Sequence, residues 1–301
     1  MSNKTFLLKL FVFALLLWGA DCLVGSGLKY LYFHQQEEDF YYTTKAIDLQ
    51  DSAIVIIGSS RARNHYNPQI ISDSLGMSCY NAGRSGCFLP YQRAQLDMIL
   101  DRYSPKIIVL EVTPYDMNPG TGDYERLSGL LPYSHHASWR EVIGRKSVFE
   151  QCKCLSAIYP YNSLLLKMLM NLKPKGEFID NGFQPLYGQW TGTYGDTNGG
   201  GMEVVSERKQ QEMEHIVEVC KKQHIRLMMV TSPYYGHFTS AKTLDVTDSI
   251  CKANNIPYLS LLNYPAFDDG MFFSTADHLN RQGADKFSLM VAHWMKSHIK
   301  E

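Results

Sequence analysis

Residues 52–61 read Ser52-Ala-Ile-Val-Ile-Ile-Gly-Ser-Ser-Arg61. A continuous apolar run rich in β-branched residues, closed by glycine, reads as a short strand covered on both faces, as in a parallel sheet. Gly58-Ser59-Ser60 then falls at the strand's carboxyl end, the edge beyond which open α/β sheets bind their ligands. The pattern continues outward. Residues 60–75 look helical with an interruption at Asn67-Pro68, Met77–Asn81 forms a second strand, Pro90–Tyr103 an amphipathic helix, and Lys106–Val112 a third buried strand. Later, Ser206–Gln223 reads as helix, Ile225–Thr231 as strand, Ser240–Asn254 as helix, Pro257–Leu262 as strand and Gly283–His298 as an amphipathic helix. This alternation predicts an α/β fold, a three-layer sandwich around a parallel sheet of about five strands.

Between the two halves lies an irregular stretch, 117–203, rich in Gly, Tyr, Pro and Asn, with one or two helices expected near 138–172. It is too long for an ordinary connection and is expected to form a lid or a substrate wall. Its tyrosines, Tyr124, Tyr133, Tyr159, Tyr161, Tyr187 and Tyr194, would either stack on sugar rings or pack within the insertion.

The N-terminus carries a separate signal. Lys4 and Lys9 precede Leu10–Leu28, a span whose only charge is Asp21. As a helix it would reach about 28 Å, close to the thickness of a bilayer core. Glu37, Glu38 and Asp39 follow. Basic residues before and acidic residues after place the N-terminus inside and the remainder outside. The expectation is an uncleaved single-pass anchor over residues 1–33, with membrane contact through 10–28, a connector at 34–52, and one domain from 53 to 301. A cleaved signal peptide is the nearest rival, but no clear small-x-small cleavage site follows the apolar core.

Composition excludes other classes. Of 301 residues, 29 are Lys or Arg and 30 are Asp or Glu, a net charge of −1, so there is no basic field to drive nucleic-acid binding. The seven cysteines are an odd number at scattered spacing, which is not a disulfide framework. Cys152-Lys-Cys154 has no second Cys or His pair in zinc-ligand spacing, so no metal site is expected.

The strand ends carry the candidate chemistry. Ester hydrolysis needs a hydroxyl nucleophile, a base within hydrogen-bond reach and donors aimed at the developing oxyanion. Ser60 lies at a strand-to-helix turn, with its own amide at a helix N-terminus that favours negative charge. Gly86, in Asn81-Ala-Gly-Arg-Ser-Gly86, sits in a tight turn where a backbone amide can approach a ligand. Of ten histidines, His278 alone is expected at the rim beside a carboxylate, Asp277. Arg61, Tyr115 and Asp116 complete the set as candidate substrate contacts.

These blocks, in this order, resemble the SGNH (GDSL-type) hydrolase superfamily, and more narrowly its membrane-anchored extracytoplasmic branch whose nucleophile block reads Gly-Ser-Ser-Arg. The resemblance covers roughly residues 53–116 and 205–299. It implies a flavodoxin-like sheet, Ser60 as nucleophile, Gly86 and the Ser60 amide as oxyanion donors, and His278 as base. The late block Thr275-Ala-Asp-His278 continues into Leu-Asn-Arg-Gln-Gly-Ala, a tail common in that branch. Two blocks depart from the pattern. Tyr115 stands where the superfamily has the oxyanion asparagine, and Thr275 stands where it has the triad aspartate. The site is then either a triad using Asp277 or a Ser–His dyad helped by a backbone carbonyl.

The resemblance implies an extracytoplasmic, membrane-tethered serine acyl esterase or O-acyltransferase acting on an acylated envelope glycan or related sugar ester, without metal or organic cofactor. The alternative is an SGNH-fold glycan-binding or assembly protein with weak or no activity. A phospholipase or thioesterase would call for a deep apolar channel, whereas the insertion is polar and aromatic.

Overall fold

The computed structural model describes residues 3–36, 38–172, 181–192, 196–197, 204–238 and 241–299. Tyr194 and most of the glycine-rich run 193–203 lie outside these residues; Asp196–Thr197 form a short strand pairing with His237–Phe238. The chain divides into two compact units, residues 1–44 with 124–177, and residues 45–123 with 178–301.

The first unit is built on α1 (Asn3–Phe33), a helix long and apolar enough to cross a membrane. Its two ends differ. Phe6 to Trp18 present their large apolar side chains uncovered, whereas Gly25 and Tyr32 are buried. The covered face, Asp21, Gly25 and Tyr32, follows helical spacing. Ser156 Oγ and the Ala157 amide donate to the two carboxylate oxygens of Asp21 at 2.5 and 2.6 Å. A Cβ on Gly25 would come within 2.4 Å of the Ala157 Cβ, so glycine is what lets these chains approach. Tyr32 packs among Phe40, Tyr133 and Tyr161. The helices expected near 138–172 are present as Trp139–Lys146, Val148–Lys153 and Leu165–Met170.

The second unit holds the sheet: β1 (Ile54–Ile57), β2 (Cys79–Asn81), β3 (Ile107–Glu111), β4 (Arg226–Thr231) and β5 (Tyr258–Ser260). All neighbours are parallel, in the order β2-β1-β3-β4-β5. Ile54 of β1 pairs with Cys79 on one side and Ile107 on the other. Alternate residues point to opposite faces. Val55, Ile57, Ile108 and Leu110 join Leu96 and Ile99 of α4 (Leu89–Leu100), Met213 and Ile216 of α5 (Glu207–Lys222), and Ile250 of α6 (Lys242–Asn254). Ile54, Ile56 and Val109 join Ala62 of α2 (Ser60–His65), Ile71 of α3 (Pro68–Leu75), and Phe287 and Val291 of α7 (Arg281–Ile299). The expected three-layer α/β sandwich is the fold.

The interruption read at Asn67-Pro68 divides α2 from α3. The residue before a proline is pushed toward extended backbone, and Asn67 has φ −91° and ψ 102°. Its side chain then accepts from the Gln69 amide at 3.2 Å and caps α3. After β5, β6 (Phe273–Thr275) and β7 (His278–Leu279) form a small antiparallel pair just before α7.

Candidate active site

The first loop shapes the site. Gly58 follows β1 so closely packed that a Cβ would lie 2.7 Å from the Ala62 Cβ and 2.8 Å from the Glu111 Cβ. Only a residue without a side chain lets the strand turn straight into α2. Ser59 takes the extended backbone of a cap, and Ser60 is the first helical residue. Its hydroxyl thus emerges at the carboxyl edge of the sheet beside a helix N-terminus.

The chain brings His278 to that hydroxyl from more than two hundred residues away. Ser60 Oγ and His278 Nε2 are 2.8 Å apart. His278 Nδ1 lies 2.9 Å from Asp277 Oδ1, and Thr275 Oγ1 donates to the same oxygen at 2.6 Å. Facing a carboxylate, Nδ1 is the protonated nitrogen, which leaves Nε2 as the acceptor of the Ser60 proton. The hydrogen bond to His278, helped by Thr275 and Arg61, holds the Asp277 carboxyl well below the usual carboxylate range, although burial opposes this. Thr275 contacts both partners, lying 3.1 Å from His278 Nδ1 as well.

Gly86 sits in the loop after β2 with φ 69°, a left-handed conformation suited to glycine. The loop is fastened to the end of β1 by the Arg84 amide, which donates to the Gly58 carbonyl at 2.9 Å. Gly83 packs so tightly that a Cβ would meet the Arg63 amide nitrogen at 2.4 Å.

Three side chains were expected to meet substrate, and the structure separates them. Tyr115 is part-exposed and lines a cavity of about 290 Å³ together with Ser60, Phe88, Tyr234 and Phe238. Arg61 borders the same cavity, but its nitrogens are engaged within the protein. Nη1 donates to the Asp277 carbonyl at 2.6 Å, Nη2 to Ser232 Oγ at 2.8 Å, and Nε to Glu111 at 3.4 Å. Its guanidinium also lies 3.5 Å from the centre of the Tyr234 ring. Asp116 is fully buried and accepts from the Thr113 amide and hydroxyl, both at 2.8 Å, closing its own loop. Asp116 is satisfied within its own loop, whereas Arg61 finds its acceptors on segments distant in sequence, at Glu111, Ser232 and Asp277.

Beneath the rim is a second constellation that the sequence reading did not single out. Glu111, at the end of β3, accepts from Ser232 Oγ at 2.5 Å, from the Ser232 amide at 3.1 Å and from the Tyr66 hydroxyl. Ser232 Oγ lies 2.9 Å from His65 Nδ1, and His65 Nε2 accepts from the Leu279 amide at 3.0 Å. Burial raises the Glu111 carboxyl even as Arg61 pulls it down, and burial together with the Arg61 charge drives His65 well below its ordinary value. His65 is therefore neutral, with its proton on Nδ1. The signal available was a carboxylate closing an otherwise apolar strand, Ile107-Ile-Val-Leu-Glu111. Residues 181–190, the far end of the insertion, run along this edge. Gln184 donates from its amide to the Arg63 carbonyl, and Trp190 to that of Phe273.

No protein-family model matches the sequence, and no curated protein matches it. Its structure is similar to several solved ones. A protein from Desulfitobacterium hafniense assigned to the G-D-S-L lipolytic family matches at 13% identity and TM-score 0.42, over 80% of this chain and 97% of the other. An acetyl xylan esterase matches at 16% identity and TM-score 0.40, over 82% and 99%. A protein from Bacteroides fragilis assigned as an acylhydrolase matches at 13% identity and TM-score 0.39, over 87% and 99%.

Proposed function

We propose that this protein is an SGNH-type serine acyl esterase or O-acyltransferase, held at the outer face of a membrane by α1 and acting on short acyl esters of a glycan. One observation carries the reading: Ser60 Oγ stands 2.8 Å from a His278 nitrogen whose partner nitrogen faces a carboxylate. Ser60 attacks the acyl carbonyl carbon while His278 Nε2 takes its proton. The imidazolium so formed is stabilised by Asp277, which stays ionised because its carboxyl is held low. The oxyanion is met by the backbone amides of Ser60 and Gly86. His278 then returns the proton to the departing alcohol oxygen, leaving an acyl group on Ser60. Water or a sugar hydroxyl, deprotonated by His278, releases the acyl group as acid or as a new ester. The small cavity, walled by Phe88, Tyr115, Tyr234 and Phe238, suits a short acyl group against a sugar ring rather than a long chain. Arg61 acts on the base from behind, holding the Asp277 carbonyl and thereby the loop that carries His278.

The test is covalent labelling. The intact protein should react at Ser60 with a fluorophosphonate and release acetate from an activated acetyl ester, and Ser60→Ala should do neither. An unlabelled wild type, or equal labelling of both, refutes the assignment. A non-catalytic glycan-binding role is the second reading, favoured by the loop Thr113-Pro-Tyr-Asp116, which supplies no side-chain amide to the oxyanion. That reading expects glycan binding that survives Ser60→Ala, with no acyl-enzyme.

A further inference from the structure

A cavity of about 790 Å³, larger than the one beside Ser60, lies within the unit built on α1. Gly25, Ser26 and Lys29 of α1 form part of its wall, and residues from 134 to 161 form the rest, among them His136, Arg140 and Tyr161. Lys29 and Arg140 bring positive charge to it, and among the described residues no acidic one lines the space.

Its depth follows from α1. The uncovered apolar face begins at Phe6. About 20 residues at 1.5 Å each are needed to cross the roughly 30 Å of hydrocarbon, which brings the outer boundary to Gly25. Asp21 then lies just inside that boundary, where a carboxylate has no water to satisfy it. The donors from Ser156 and Ala157 meet this need, and they fix the cavity's floor at the same level. Leu155, next in the chain and 86% exposed, offers an apolar surface at the depth where acyl chains begin. Lys29, one turn beyond Gly25, falls among the headgroups.

We infer that this cavity binds the phosphate of an anionic lipid headgroup from the outer leaflet, with Lys29 and Arg140 as its cationic contacts. The inference rests on α1 spanning the bilayer. A phosphate diester offers several acceptor oxygens and one negative charge, which the Arg140 fork and the Lys29 ammonium complement without competition from a lining carboxylate. The binding site would position the unit at a defined height on the lipid surface.

The experiment uses the full chain, purified in a lipid-preserving detergent and mixed with phosphatidylglycerol or phosphatidylcholine, and bound lipid is counted by native mass spectrometry. The wild type should retain phosphatidylglycerol in preference to phosphatidylcholine. The double variant Lys29→Gln, Arg140→Gln should lose about tenfold or more in that affinity, with fluorophosphonate labelling of Ser60 unchanged as a check on folding. Equal retention of the two lipids, or no change in the variant, overturns the site. Displacement of the lipid by inorganic phosphate alone reassigns it to a free anion and overturns the lipid assignment. Alkaline carbonate extraction separates the two levels. A chain released from membranes overturns the anchor and the site together, whereas a chain that stays but does not discriminate overturns the site alone.

Discussion

Two serine–histidine pairs of the sheet unit have nearly the same length, Ser60 with His278 at 2.8 Å and Ser232 with His65 at 2.9 Å. Their surroundings make them opposite in character. At the rim, Ser60 opens onto a cavity and His278 faces an ionised carboxylate, so a proton can leave the serine and be held on the imidazole. Behind it, Ser232 donates to Glu111 and receives from Arg61 and His65, and the second nitrogen of His65 accepts from the Leu279 amide. There the histidine is kept neutral and each polar group already has a partner. A hydrogen-bonded Ser–His contact is therefore not a nucleophile by itself. The rim pair has an open side for a substrate, and the inner pair has none.

That contrast can be broken by mutation. The largest effect should come from Ser60→Ala, which is expected to abolish fluorophosphonate labelling and lower ester turnover by about a thousandfold or more while leaving the melting temperature near that of the parent. Glu111→Ala is expected to cost roughly 3–5 kcal/mol of stability, because Arg61 would remain buried without its counter-charge; chemical denaturation monitored by tryptophan fluorescence reads this. Ser232→Ala should keep Ser60 labelling but lose about 1–3 kcal/mol, since the removed hydroxyl satisfies buried groups. Equal loss of labelling in the Ser60 and Ser232 variants would erase the distinction. Asp277→Asn should slow turnover by on the order of a hundredfold, with little change in substrate affinity, because the side chain orients His278 from a half-exposed position.

The smallest effect concerns pH. Burial pushes Asp116 up to about 7. A carboxyl raised in the folded state adds stability below its unfolded value near 4, and that stability is lost as pH rises through about 7. The melting temperature should therefore decline between about pH 4 and pH 7 and level off above, and Asp116→Asn, which can keep both contacts to Thr113, should flatten the decline. A slope unchanged in the variant would assign the titration to another group.

The parts legible in sequence are local. The strand Ile54–Ile57, the turn through Gly58, and the adjacency of Asp277 to His278 each occupy a few consecutive residues, and their patterns reflect forces acting over that range. The parallel sheet of about five strands could be read because buried strands alternate with amphipathic helices. The inner constellation could not. Glu111, Ser232, His65 and Arg61 meet only because β1, β3 and β4 lie side by side, a fact of strand order that no single segment records. Arg61 looked like a substrate contact for the same reason: its partners Ser232 and Asp277 are distant in sequence. The insertion 117–203, expected as a lid or a substrate wall, is divided in the fold: residues 124–177 fall in the unit with α1, and residues 181–190 run along the sheet edge beside Arg63 and Phe273.

Tyr32 is 2% exposed, and its hydroxyl donates to that of Tyr133 at 3.2 Å. The C-terminal turns of α1 are thus a structural member of their unit. Trimming the chain at residue 34 would remove a core aromatic and bare the surface that received it. Shortening from the other side, by replacing the uncovered segment before Asp21 with polar helix formers, would keep that surface closed, and it is the route by which a water-soluble form should retain its shape.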